Sequence, residues 1–538
     1  MKAKAKPWLS IKKYKEGRKM KKFKAGIISL LICSMLSVTA CGGGGKDKTS
    51  ENITADKFAI TVACASEQSE QEVMETLATA FMAKNPEYSI KVEGFSGASF
   101  DNYMYQLAAD RTNSPNIIWT MDSMHASWHK YFTDLRPFYE RDASTDYSLY
   151  YESMLDVATL NGEFKPTANY TGSFAREKDT ATGLEDYKNH SPYGIYYAPR
   201  DYNKPAIICN GHKFKELDDL YESLVPSRPA DYVSTTQRLN DIVAGNNWDD
   251  LNDLFEFAEF IASRRNETIK LLKDKGDIKT ANSWSKYYAI DLKLSWEPTY
   301  VTFLTALGVD TLFKADGSLD IERHTAIFEA LHEKLYKIDG ITNSDAADTD
   351  FTNEINFMKI VSRPVLLGTK NRFEAVHNGE NALQCIQIPV ENIAAGNSGY
   401  AINNYYHDKT VTVNGVTKSY DDICWEFIKF IITEEGQNVA GATGHNIPVL
   451  KSLRESGEWT EVEGLENMNH FAWVAGGELK QDWYDFYTVE SRTGFRNEMT
   501  IFFLNFVKSN YGSGDFAKLL QATKTGFDNL NPTGSVRS

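Results

Sequence analysis

FAITVACASEQSEQEVMETLATAFMAKNPEYSIKVE, residues 58–93, reads as strand, helix, strand. Phe58–Cys64 is apolar enough for a central strand, and Ser69 with Glu72 has the spacing of a capping box. Val73, Leu77 and Phe81 then recur at helical spacing, Pro86 stops the helix, and Tyr88–Glu93 alternates as a second strand. A further helix over Phe100–Ala109 leads to a third strand, Ser114-Pro-Asn-Ile-Ile-Trp119. Strand–helix–strand units of this length predict an α/β fold with a parallel sheet. Ligands in such sheets bind beyond the carboxyl ends of the strands. Here those ends are Ser66-Glu67, Phe95-Ser96-Gly97 and Thr120-Met121-Asp122.

Outward from this core, 538 residues with 42% hydrophobic and 24% charged side chains describe a folded chain with room for two to four domains. The net charge is −15, and the first 40 residues carry eleven Lys/Arg and one Glu, so the remainder stands at −25. A body that acidic is unsuited to nucleic acid, which demands basic patches. A mean hydropathy of −0.43 and one short apolar run exclude a multispanning membrane protein.

Further along, Ala206–Asn210 reads as a short strand after the aromatic loop Pro192–Pro205. Asn247-Trp-Asp-Asp250 opens a helix with acids in its first turn, and DDICWEFIKFIITEE (421–435) forms another that ends at Gly436. Cys64, Cys209, Cys385 and Cys424 are single and flanked by apolar residues, as buried thiols are. His125 and His129 are i,i+4 without a third ligand nearby, so no metal and no cofactor is expected.

The apolar run 25–36 follows Met20-Lys-Lys-Phe-Lys24 and is too short to span a bilayer, which marks a secretory signal. Val38-Thr-Ala-Cys41, followed by four glycines, resembles a bacterial lipobox, in which Cys41 carries a diacylglyceryl group after cleavage. Met20 reads as the natural start. Residues 41–56 would then be a flexible tether holding the protein at the outer face of the cell membrane of a Gram-positive bacterium.

Several blocks resemble, in order, the extracellular solute-binding proteins of ABC importers, in the sugar-binding, maltose-binding-protein-like branch. They are Phe81-Met-Ala-Lys-Asn-Pro86; Ser114–Trp119; Asp201-Tyr-Asn-Lys204 to Phe214; Asn247–Asp250; Trp296–Val309; and Cys424–Phe430 with Glu434-Glu-Gly-Gln437 and Gly444–Pro448. The resemblance implies an α/β, two-lobed periplasmic-binding-protein-like fold of class II, with hinge crossovers and a ligand cleft between the lobes. The crossovers should fall near Tyr196–Pro205, Pro389–Tyr400 and Asn446–Pro448. Lobe 1 is then residues 57–200 plus 400–446, and lobe 2 is 201–399 plus 447–538, behind a signal peptide over 1–40. The implied partners are a carbohydrate, an oligosaccharide above all, and the importer's permease subunits, with the protein itself a monomer.

Sugars present hydroxyls in a ring plane and apolar C–H faces, so their cleft needs carboxylates, amides and aromatic faces. Asp122 matches a region where the family places a ligand-binding carboxylate, and it equally suits a helix N-cap. Trp119 is a core residue or a stacking wall. Glu67 is a ligand contact or a first-turn helix charge. Asp201 and Asn203 lie in a crossover where relatives carry an acid; hinge capping is the alternative. Trp296, Glu297 and Tyr300 carry the resemblance to a sugar-stacking block and are the expected contacts from lobe 2. At Gly368–Arg372 relatives show a stacking Trp, whereas Lys370 and Arg372 stand here, either as a solvated loop or as contacts to an anionic group.

A secreted carbohydrate-active enzyme is the competing class. The paired carboxylates Asp249/Asp250, Asp421/Asp422 and Glu434/Glu435 are adjacent in sequence and point to different sides, which suits a catalytic dyad poorly. No GxSxG, HExxH or P-loop occurs. A receptor for a non-sugar solute such as a peptide also remains open. The N-terminal reading has a direct consequence: Cys41→Ser should move the protein from the membrane fraction to the soluble fraction, and retention of the variant on membranes would refute the lipobox.

Overall fold

The structure, a computed structural model, describes residues 52–96, 100–121, 124–159, 176–178, 185–187, 194–309, 314, 320–343, 350–380, 382–391, 393–394, 396–461, 468–471, 492–507 and 515–529. Cys41 and the 1–40 segment lie outside them. Nine strands carry the architecture: β1 (Phe58–Ala65), β2 (Tyr88–Phe95), β3 (Ile117–Met121), β4 (Ala198–Asn203), β5 (Ala206–Asn210), β6 (Tyr288–Asp291), β7 (Asn356–Val361), β8 (Leu383–Ile386) and β9 (Gly396–Ile402).

The first sheet runs β2-β1-β3-β9-β4. Strands β1, β2 and β3 are parallel, as their sequence predicts, with Phe58 opposite Tyr88 and Val62 opposite Ile117. The sheet as a whole is mixed, because β9 and β4 join it antiparallel, with Tyr400 opposite Trp119 and Ser398 opposite Asp201. These two strands come from the chain's passages towards and back from the second sheet, which reverses their direction. The register of β9 on β4 shifts between Ser398 and Gly399. A Cβ on Gly399 would sit 2.0 Å from the Ala198 carbonyl oxygen, so the close approach of the two strands there requires glycine.

Residues Val62–Ala65 of β1 are all buried, which explains the near-continuous apolar run of a strand covered on both faces. Helix Gln68–Lys84 contributes Val73, Met74, Leu77 and Phe81, and helix Tyr420–Ile432 contributes Trp425, Phe427, Ile428 and Ile431 to the same core. The Phe81 ring meets Phe427 at 5.2 Å and Tyr88 at 5.1 Å, both edge-on, and so joins both helices to the sheet. Helix 68–84 begins after Glu67, not at a Ser69–Glu72 capping box, and its N-terminus has no side-chain cap. The 420–432 helix also stops earlier than its sequence predicts. Thr433 is extended, and Gly436 lies inside a second helix, Glu434–Gly441. By contrast, Asp250 and Asp253 form a full capping box at the start of helix Leu251–Asp274.

The second sheet runs β8-β5-β7-β6. Alternation along β5 sends Ile207 and Cys209 to one face, against Leu254, Phe257 and Ile261 of helix 251–274 and Phe502, Phe503 and Phe516 of the C-terminal helices. Ala206 and Ile208 face the other way, with Cys385, Ile447 and Trp459. The four body cysteines are free and buried, as their apolar flanks predict. The chain leaves the first sheet for the second through Lys204-Pro205, and returns between Ile386 and Gly396. No helix among the described residues is long and apolar enough to cross a membrane.

Lys204 sits fully buried in the first of these passages. Burial, helped by the charge of Arg454, pulls its ammonium down from 10.5 to about 7. The folded chain therefore binds fewer protons than the unfolded chain between those values, so stability rises with pH through that window and falls as pH drops towards 7. Urea midpoints should increase from pH 7 to pH 10, and Lys204→Met should show a shallower increase. Equal slopes in the two proteins would remove Lys204 as the cause.

Candidate functional site

A cavity of about 260 Å³ opens where the carboxyl ends of β1 and β3 face the start of helix Glu297–Ala306 and the segment after β7. The first sheet supplies Ala65, Trp119, Met121, Asp201 and Gly396–Ser398, and helix 68–84 with its cap supplies Glu67, Ser69 and Glu70. Trp296, Glu297, Pro298, Ser362 and Pro364 complete the opposite wall.

The floor is built around Arg200. Its guanidinium is 2% exposed and donates to Glu70 at 2.5 Å, to Asp201 at 2.6 Å and to Asn446 Oδ1 at 2.9 Å. Tyr400 donates its hydroxyl to the other Glu70 oxygen. The second Asp201 oxygen accepts from the Ser398 N–H at 3.1 Å and from its hydroxyl at 3.0 Å. Below the network, Gln437 donates to the carbonyls of Arg200 and Ile431 and accepts from the Val449 N–H. Burial would lower the Arg200 guanidinium, but Asp201 and Glu70 outweigh it and hold the charge in place. Burial pushes the Glu70 carboxyl up, with the Asp201 charge adding to the rise and Arg200 opposing it.

Trp119 is both things its position allows, a member of the core and a cavity wall. It is 8% exposed, edge-on to Phe95 and Phe100, and its indole N–H is buried without an acceptor. Across the cavity, Trp296 is half-buried and caps its helix with Pro298 in the first turn, which accounts for the Trp-Glu-Pro cluster. The Lys293 ammonium lies 6.0 Å from the Trp296 ring centroid. Glu297 is buried.

Of the residues singled out from sequence, Glu67, Trp119, Asp201, Trp296 and Glu297 thus meet at one cavity. Tyr300 does not line it: its ring is fully buried and stacks on Phe503 at 5.1 Å, one helical turn beyond the site. Lys370 and Arg372 do not line it either. They stand on helix Leu366–Val376, not on a loop, with Lys370 paired to Glu374 at 2.8 Å and Arg372 exposed. Asp122 and the Asn203 side chain lie outside the described residues. Sequence reading missed Glu70, Arg200, Ser362, Pro364, Asn397 and Ser398. Ser362 and Pro364 were within reach, because they follow the apolar strand Asn356–Val361 at its carboxyl end.

A sequence profile of the bacterial extracellular solute-binding proteins matches residues 76–467, well over half of the chain. The chain belongs to that family. Solved structures agree on the two-lobed periplasmic-binding-protein-like fold. The GacH receptor of Streptomyces glaucescens, solved unliganded and with acarbose, aligns with a TM-score of 0.57 at 13% identity over 88% of this chain and 100% of its own. A substrate-binding protein of Listeria monocytogenes in complex with cycloalternan aligns at 0.55 and 11% identity over 88% and 99%. A solute-binding protein of Thermotoga lettingae bound with α-D-tagatose aligns at 0.56 and 8% identity over 88% and 100%. No curated protein sequence matches the chain. The cavity lies between the ends of the two sheets, with the Arg200 network beneath it.

Removing one partner of a buried ion network leaves the others uncompensated, at a cost of about 3–5 kcal/mol. Arg200→Met should therefore destabilise the protein by that amount in urea unfolding. A variant as stable as the parent would show that Glu70 and Asp201 do not need the guanidinium.

Proposed function

We propose that the protein is a lipid-anchored, extracellular receptor of an ABC importer that captures a carbohydrate between its lobes and hands it to the permease without turning it over. The observation that carries this reading is the cavity itself. Two tryptophans, Trp119 and Trp296, and four carboxyl groups converge on it from two separately packed sheets. Indole faces suit the C–H faces of a sugar ring, and carboxylates suit vicinal hydroxyls. A ligand touching both walls would favour the closed arrangement of the lobes, since it gains contacts only there. The neighbouring structures solved with acarbose, cycloalternan and tagatose support a saccharide as the cargo.

The cavity volume falls below the roughly 300–1000 Å³ of pockets for drug-sized molecules, so it would seat one end of an oligosaccharide. We assign Glu67, Trp119, Asp201, Trp296 and Glu297 to binding, with Glu70, Ser362, Asn397 and Ser398 added to the earlier set. Lobe 1 would comprise the first sheet with helices 68–84 and 420–432, and lobe 2 the second sheet with helix 251–274 and the C-terminal helices. The tether from Cys41 would keep the receptor, acting as a monomer, beside its permease.

A thermal-shift screen of mono- and oligosaccharides tests the reading, because a ligand that binds only the folded protein raises its melting temperature. Trp296→Ala should then weaken the best hit by about ten- to a hundredfold, as expected for roughly 1–3 kcal/mol of lost aromatic contact. Its melting temperature without ligand should change little, as Trp296 is half-buried. No shift with any saccharide would overturn the carbohydrate reading, and parental affinity in Trp296→Ala would remove that residue from the site.

A further inference from the structure

Three consecutive residues, Gly444-His445-Asn446, hold parts of the chain that stand on opposite sides of the cavity. The Gly444 carbonyl accepts from Arg363 Nε at 3.2 Å, and Asn446 Oδ1 accepts from Arg200 at 2.9 Å. Between them His445 is buried, with one ring nitrogen towards each side. Its Nδ1 lies 3.2 Å from the Pro364 carbonyl oxygen, and its Nε2 lies 3.7 Å from Glu72 Oε2. Pro364 and Ser362 belong to one wall of the cavity. Glu72 stands on helix 68–84, whose cap and first turn supply Glu67, Ser69 and Glu70 to the other.

A carbonyl oxygen can only accept, so the Nδ1 facing Pro364 carries a proton. In a neutral ring that leaves the Nε2 lone pair turned towards a carboxylate, whereas an imidazolium turns an N–H and a positive charge towards it. Only the charged ring suits both neighbours. We infer that His445 is a positioning residue for the solute cavity: as imidazolium it latches the Pro364 wall to helix 68–84 and favours the arrangement in which both walls face a ligand. The inference rests on the cavity being the solute site. Ligand and proton then favour the same arrangement, so affinity rises as pH falls from 8 to 5.5, and binding takes up protons in return.

The remaining charges around the ring set the size of the effect. Residues 441–450 carry none besides His445. Arg363, on the turn that bears Pro364, is fully buried, and burial lowers its guanidinium to about 10, so it stays cationic throughout and opposes a second positive charge. Arg200, with Glu70 and Asp201, meets the next residue, Asn446. Burial pushes the Glu70 carboxyl up, and that group is present in parent and variants alike. Glu72 is half exposed, which limits the pair to about a two- to fivefold effect on the equilibrium it biases.

The test has one arm without ligand and one with it, both on the full chain in detergent. For the first, spin labels are attached through ketone side chains replacing Lys91 on β2 and Lys215 on helix Gly211–Leu224, which packs on the second sheet; both lysines are exposed. The distance distribution of the free protein should move towards the arrangement described here between pH 8 and pH 5.5. It should stay fixed in His445→Gln, which keeps a donor without the charge, and in Glu72→Gln, whose half-exposed position lets it fold even where the other does not. For the second, the saccharide giving the largest thermal shift is titrated calorimetrically. The parent should bind it about two- to fivefold tighter at pH 5.5 than at pH 8, and both variants should bind it equally at the two values. Comparing slopes within each protein keeps a general loss of affinity from imitating the effect.

A parental distance or affinity that ignores pH, or a Glu72→Gln variant with the parental slope, would overturn the latch and leave a carbohydrate receptor standing. A pH-dependent distance with no saccharide bound at either pH would instead keep the latch between the two walls and overturn the receptor reading together with the role of His445 in it.

Discussion

Arg200 is the constraint on which the rest of the site depends. One fully buried guanidinium reaches an acid on the first helix, an acid beside it on β4 and an amide on the segment that follows helix 434–441. Three parts of the chain that share no sequence neighbourhood are thereby fixed against each other at the base of the cleft. Burying ions is costly, and the attraction between them offsets the cost only when the geometry is good and the remaining polar atoms are satisfied. Tyr400, Ser398 and Gln437 supply further partners, while Arg200 Nε and Asn446 Nδ2 stay buried without a hydrogen bond.

Much of the fold was legible because its signals are local. The apolar run of β1, the 3.6-residue periodicity of helix 68–84 and the alternation of β2 each follow from one short segment, and so do the parallel pairings among β1–β3. The strand-end rule pointed to Glu67, which does line the cavity, whereas Trp119 read equally as core or wall. What stayed illegible was relational. Nothing near Glu70 in the sequence announces that Arg200 and Tyr400 will meet it, and nothing within β9 announces that it will run antiparallel between β3 and β4. Tyr300 shows the limit of reading a motif by its spacing. One helical turn carries its neighbour Glu297 to the cavity wall and leaves Tyr300 itself in the core against Phe503.

Lys370 and Arg372 show the same limit for charge. Read as a loop, Gly368–Arg372 could bring two cations to a ligand. Folded as a helix, it pairs Lys370 with Glu374 one turn later and turns Arg372 to solvent. The carboxylates at the site are instead Glu67, Glu70, Asp201 and Glu297, of which Glu67 alone reads in sequence as an alternative helix-start charge. Acidic side chains at the first turns of helices 68–84 and 297–306 are also favoured by the helix dipole, so local stability and cavity charge act in the same direction.

The placement of β9 also governs the order in which the molecule can be completed. Strand β3 exposes one edge until β9 fills it, and β9 ends only at Ile402, after the whole second sheet has been laid down in sequence. A chain emerging amino-terminus first would hold β1–β3 as an unfinished half-sheet with a bare hydrogen-bonding edge until then. Pairings so distant in sequence are slow to form, because the entropy of closing the intervening loop comes due before the contacts do. Completion of the first sheet, and with it the cleft, therefore waits on residues near position 400, whatever the intrinsic speed of the segments before them.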